Sequence, residues 1–258
     1  MKKFYFGTNL KMYKNIKDTT DYLTSLERLT SDISRDEMEL FVIPSYTSLP
    51  AATDAVSQNN IRLGAQNMGW ADEGQFTGEI SPLMLEELGI GLVMIGHSER
   101  RHVFHETDIE EHLKVKCGVE HGYTTLLCVG ETDEEKEFGI SDEVLRTQLK
   151  VGFHGLAPED AKKVWVAYEP VWAIGVNGKP ASVEYARKKH HVIKECLKEI
   201  FNDNADEIPV LYGGSVNPQN ANELIVQPDI DGLFVGRSAW HADNFNKLIR
   251  DAIASCKK

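Results

Sequence analysis

Four side chains spread along this chain have the types needed to move a proton between neighbouring carbons: Glu169, His97, Lys11 and Asn9. A carboxylate removes a carbon-bound proton, an imidazole polarises the adjacent carbonyl and shuttles protons between two oxygens, and an ammonium steadies the oxyanion that forms. Glu169 follows the strand-like run Val164 to Tyr168 and precedes Pro170-Val171-Trp172-Ala173-Ile174, then Gly175-Val176-Asn177-Gly178. Proline cannot donate to a central ladder, so Glu169 ends the strand. The apolar stretch from Pro170 to Ile174, with Gly175 and Gly178 beside it, suits a lid that closes over a substrate and expels water. Plainer readings exist for each residue. Lys11 fits a surface loop, His97 a hydrogen-bonded core position, Glu99 an ion pair with Arg100 or Arg101, and Glu169 an ordinary strand-to-helix connection.

The elements that must position these residues are legible as β-rich runs, each ended by Gly, Pro or a polar residue: 4–9, 40–43, 61–65, 92–95, 125–129, 164–169, 210–212 and 233–235. Helix-like segments lie between them, including 18–29, 82–88, 183–201 and 244–253, the last with Phe245, Leu248, Ile249, Ala252 and Ile253 at one-face spacing. Eight strand-helix units predict a single-domain α/β barrel over residues 1–258, a doubly wound open sheet being the alternative. Neither a G-x-G-x-x-G after the first strand nor a Walker-type loop supports that alternative. In a barrel, chemistry collects at the C-terminal strand ends. There stand Asn9 and Lys11, His97 with Glu99, Glu169 with its lid, Gly213-Gly214-Ser215, and Gly236-Arg237-Ser238. This joint placement outweighs the plainer readings. Glycine turns leading into helices present backbone N–H groups to a phosphate, which lets an acidic protein take an anionic substrate.

The formal charge of −12 disfavours nucleic acid and anionic membranes as partners, and the 41% hydrophobic content suffices for a large core. No apolar run approaches roughly eighteen residues, and MKKFYFGTNLKM is too mixed for a signal peptide, so a cytoplasmic protein is expected. Cys117, Cys128, Cys196 and Cys256 lack C-x-x-C spacing, which predicts reduced thiols and no zinc site or disulfide framework. The pairs His105/His112 and His190/His191 read as solvated, and 133–137 as a solvated helix start.

NLKM at 9–12, AQNMGWADEGQFTGEISPLML at 65–85, IGHSERRHVF at 95–104, LLCVGET at 126–132, AYEPVWAIG at 167–175, YGGSVNP at 212–218 and DGLFVG at 231–236 resemble triosephosphate isomerases, in that order over nearly the full length. The resemblance implies a (β/α)8 TIM barrel, a homodimer, and interconversion of an aldose and a ketose phosphate without cofactor or metal. It makes Glu169 the base, His97 the electrophile, Lys11 the oxyanion-stabilising cation, Asn9 a neighbouring donor and Glu99 the organiser of Lys11. It gives Gly175, Ser215, Gly236 and the backbone of Arg237 to the phosphate, and sends Phe76 and Thr77 toward a partner's Asn9 and Lys11. Departures from the family pattern fall around the substrate. Leu10 and Tyr13 stand where the family has Trp and a second Asn, Tyr13 being expected to alter the interface; the lid is one residue longer, with Val176-Asn177 in place of a threonine and Pro180 at its exit; Arg237 replaces a second glycine. Triose phosphate is the first expectation, with a four-carbon substrate such as erythrulose phosphate close behind. A non-catalytic phosphosugar-binding barrel is a third reading, disfavoured because a pure binder has no use for Glu169 and His97 together.

Overall fold

In the computed structural model, which describes residues 3–175 and 178–257, eight parallel strands close on themselves in sequence order. They are β1 Phe4–Asn9, β2 Met38–Ile43, β3 Arg62–Ala65, β4 Leu92–Ile95, β5 Thr124–Val129, β6 Val164–Tyr168, β7 Val210–Tyr212 and β8 Gly232–Phe234. β1 pairs with β2 from Phe4 opposite Met38 to Asn9 opposite Ile43, and with β8 from Tyr5 opposite Gly232, so no sheet edge remains. Alternation along each strand sorts side chains between two cores. Phe41, Ile43, Leu92, Met94, Leu126, Trp165, Leu211 and Phe234 fill the barrel. Their neighbours, among them Leu40, Val42, Val93, Ile95, Leu127, Val166 and Val210, face outward against the helices. Both faces are buried, which is why these strands read in the sequence as nearly continuous apolar runs. Gly7 is required inside, because a Cβ there would lie 2.0 Å from the Phe41 ring.

The connecting helices are α1 Ile16–Leu29, α2 Leu49–Ala55, α3 Pro82–Glu87, α4 Ser98–His102, α5 Asp108–Glu120, α6 Asp133–Glu137, α7 Ser141–Gly152, α8 Val183–Phe201, α9 Ala221–Ile225 and α10 Ala242–Cys256. α10 is longer than its apolar stripe, whose residues Phe245, Leu248, Ile249 and Ala252 are the buried ones. α1 begins earlier than its periodicity suggests because the Asn15 side chain accepts from the Asp18 N–H. α6 is an exposed turn of helix closed by a Thr132–Glu135 capping box, as its acidity implies. α5 buries Glu111 and Lys114, which hides its amphipathic face from a hydrophobicity reading. Lys114 is held by Glu106 at 2.6 Å and by Asn67 at 3.2 Å.

One histidine reading needs correction. His190 is fully buried on α8, with Nδ1 3.0 Å from the Asp229 carbonyl oxygen and its ring between Tyr168 and Tyr212. It sits on the same helix as exposed His191, and helical phase separates the two. Cys117, Cys128 and Cys196 are buried free thiols. No helix among the described residues is long and apolar enough to cross a membrane.

Candidate active site

Glu169 lies one residue past β6, its N–H still donating to the Val129 carbonyl at 2.7 Å, so the ladder fixes the backbone that aims the carboxylate. The side chain is 4% exposed, and Oε2 is buried without a hydrogen-bond partner. A buried polar atom without a partner needs an explanation, and a base awaiting a substrate proton provides one. Burial pushes the carboxyl up to about 7, against opposing contributions from Lys11, the Ser98 N–H and Cys128. That is the working range of a general base at neutral pH. Gly213 makes the placement possible: a Cβ there would come within 2.8 Å of Glu169 Cγ.

His97 caps the N-terminus of α4, its Nδ1 accepting from the Glu99 N–H at 3.2 Å. The bond requires an unprotonated Nδ1 and leaves the other ring nitrogen to carry the hydrogen. Burial, aided by the Lys11 charge, lowers the imidazole to about 3. Its contacts at 3.6 Å with Glu169 Oε1 and with Glu99 Oε2 are therefore those of a neutral ring and not ion pairs. Lys11 sits at φ +51°, a left-handed conformation that costs energy in a lysine, and its Nζ is 2.6 Å from Glu99 Oε1. Asn9 Oδ1 accepts from the Lys11 N–H at 2.8 Å and from Gln66 Nε2 at 3.1 Å. Its amide nitrogen is thus the group available to a ligand. Arg100 and Arg101 do not pair with Glu99: Arg100 binds Glu106, and Arg101 binds Glu111 and Asp108.

These groups open on a cavity of ≈ 430 Å³, large enough for a small sugar phosphate. Asn9, Lys11, His97, Glu99 and Glu169 line one part, and Gly175, Ser215, Gly236 and Arg237 another. Phe76 and Thr77 are not among its lining residues; both are exposed on the loop between β3 and α3, with Phe76 against Trp70. Among the lid residues, Pro170 and Ala173 are buried, Val171–Ala173 form a 3-10 turn, and Ala173 and Ile174 reach the cavity. Gly178 packs so closely that a Cβ would meet the Ala173 carbonyl at 2.5 Å. Val176 and Asn177, the added lid residues, lie outside the described residues. Arg237 Nη2 donates to the Gly175 carbonyl at 3.0 Å, so its guanidinium folds across the mouth to the lid.

The chain belongs to the triosephosphate isomerase family. The sequence model of that family matches residues 4–252. A Rhizobium etli protein named L-erythrulose-1-phosphate isomerase is 46% identical over 95% of this chain and 91% of its own length. A Mesorhizobium japonicum protein of the same name is 46% identical over 98% of both chains. A Fusobacterium nucleatum triosephosphate isomerase is 42% identical over 97% of this chain and 99% of its own. As a triosephosphate isomerase family member the chain is an isomerase of the aldose–ketose class, in keeping with its buried carboxylate facing a neutral imidazole.

Residues that sequence reasoning passed over complete this family's site in the present chain. Glu131, fully buried, accepts from Trp172 Nε1 at 2.9 Å, Tyr185 Oη at 2.8 Å and Tyr168 Oη at 3.1 Å, anchoring the start of the lid. Gln66 also donates to the Lys11 carbonyl at 2.8 Å, holding the strained residue. Trp240 Nε1 donates to the Asn9 carbonyl at 3.0 Å, and its ring lies 4.4 Å from that of Tyr13. Tyr13 lines the cavity with Trp240 in the same chain. Glu131, Gln66 and Trp240 stood in or beside the recognised motifs, but their contacts depend on partners far away in sequence.

Proposed function

We propose that this isomerase acts on a four-carbon ketose phosphate, erythrulose phosphate, by proton transfer between adjacent carbons. The observation that carries the substrate is the name shared by relatives at 46% identity over nearly the whole chain, which favours this reading over the triose phosphate expectation. The phosphate sits against Gly175, Ser215, Gly236 and the backbone of Arg237, where turn starts offer N–H groups. Glu169 removes the proton from the carbon beside the carbonyl. The electron pair becomes the enediolate, whose oxygens are held by His97, Lys11 and Asn9, and the proton returns to the former carbonyl carbon. With the phosphate on C1 of erythrulose, the shift moves the ketone from C2 to C3 and gives a second ketose phosphate; with the phosphate on C4, a shift between C1 and C2 gives an aldose phosphate. In the first case the extra carbon extends away from the phosphate, beyond the reacting carbons. The site acts in a homodimer, with Phe76 and Thr77 reaching the partner's active-site loops, and the enzyme works in the cytoplasm.

Purified protein is to be assayed with L-erythrulose 1-phosphate and glyceraldehyde 3-phosphate side by side. The expected result is a higher kcat/KM for the four-carbon substrate. Turnover of the triose phosphate alone refutes the proposal and restores the triose reading.

A further inference from the structure

Away from the active site, one group of side chains has the chemistry of a transition-metal centre. Cys117 and His121 are four residues apart along α5 and its C-terminal cap, a spacing that puts both on one face. Asp72 comes to that face from the loop between β3 and α3. The thiol sulfur, an imidazole nitrogen and a carboxylate oxygen all lie within 4.8 Å of one another, with His121 Nε2 2.8 Å from Asp72 Oδ1. Tetrahedral ligands of zinc stand roughly 3.5 Å apart, so small side-chain adjustments suffice to bring the three onto one ion.

The surroundings suit a cation. Cys117 is 7% exposed, so an ion bound at its sulfur would be shielded from solvent on that side. The Asp72 backbone is fixed from behind, since Ser81 Oγ donates to its carbonyl at 2.5 Å. One thiolate, one imidazole and one carboxylate select zinc-like ions over magnesium or calcium, which take oxygen ligands.

We propose that Asp72, Cys117 and His121 form a zinc-class metal site that clamps the loop bearing Phe76 and Thr77 onto α5, with a fourth position left to water. The full-length protein, stripped with a chelator, is to be titrated with Co²⁺ and then Zn²⁺. One equivalent of Co²⁺ per chain is expected, with a thiolate-to-metal charge-transfer band that Zn²⁺ displaces and Cys117→Ser abolishes. His121→Gln is expected to weaken Zn²⁺ binding by at least about tenfold, the loss that even an outer-shell partner can cause. Circular dichroism checks that each variant is folded. Absence of the band in the wild type, or its survival in folded Cys117→Ser, overturns the proposal and leaves Asp72–His121 as a simple tether. If Cys117→Ser does not fold, His121→Gln decides, and unchanged Zn²⁺ affinity overturns the site.

Discussion

At Glu169 the chain holds a carboxylate that is 4% exposed, raised to about 7, and within 3.6 Å of an imidazole kept neutral by burial. Two measurements follow from that environment. kcat/KM is expected to fall as pH drops through about 7, where Glu169 gains its proton, while His97 stays neutral down to about 3. Glu169→Gln is expected to cost roughly a hundredfold to ten-thousandfold in kcat, and a variant retaining most of its kcat sinks the base assignment. The same substitution is expected to stabilise the fold. Because the folded pKa is raised, the protonated carboxyl is favoured by folding, and that stability is lost as pH rises from about 4.5 through about 7. The glutamine variant is therefore more stable than wild type at pH about 8, by on the order of 3 kcal/mol, and equal to it near pH about 4, as denaturant titrations at the two pH values will report. Gly213→Ala tests the placement itself. A Cβ 2.8 Å from Glu169 Cγ must push the carboxylate aside, and a misplacement near 1 Å costs about a hundredfold in rate.

Among the elements, the lid is held at its start by specific contacts. Trp172 Nε1 and two tyrosine hydroxyls converge on buried Glu131. Trp172→Phe removes one donor from a fully buried carboxylate, which costs about 1.5–3 kcal/mol for a hydrogen bond to a charged group. Lower thermal stability together with reduced kcat is the expected result. Arg237 links the turn after β8 to the lid through Gly175. It is exposed and solvent screens its interactions, so Arg237→Gly is expected to raise KM by about tenfold and leave kcat nearly unchanged. An unchanged KM for every sugar phosphate turned over shows that the latch is irrelevant to binding.

For the whole molecule, acid stability is governed by buried histidines as well as by the site. His97 and His190 are lowered to about 3 and about 4 by burial, so an unfolded chain binds protons that the folded chain refuses. The stability that these two histidines contribute is therefore expected to be full above about pH 6.5 and to fall as pH drops toward 4, and His190→Gln is expected to flatten part of that slope in thermal melts. Exposed Phe76 lies on the loop that the proposed dimer covers, and exposed Met12 and Tyr13 follow Lys11, which that loop is proposed to reach in the partner. Sedimentation is expected to show a dimer at assay concentrations, and a fully active monomer refutes that assembly.

The fold and the candidate site residues were legible in the sequence because both rest on local patterns: apolar runs that a closed parallel sheet buries on two sides, and polar residues placed where those runs stop. Glu169, His97, Lys11 and Asn9 could be named from their positions at strand ends. Their reactivity could not, since the shift at Glu169 and the neutrality of His97 come from burial by residues remote in the chain. The hydrogen bonds of Glu131 and Trp240, the packing of Tyr13 on Trp240, and the meeting of Asp72 with Cys117 and His121 likewise needed the tertiary structure. A sequence determines which side chains share a helix face or a strand end; barrel closure decides which distant ones touch.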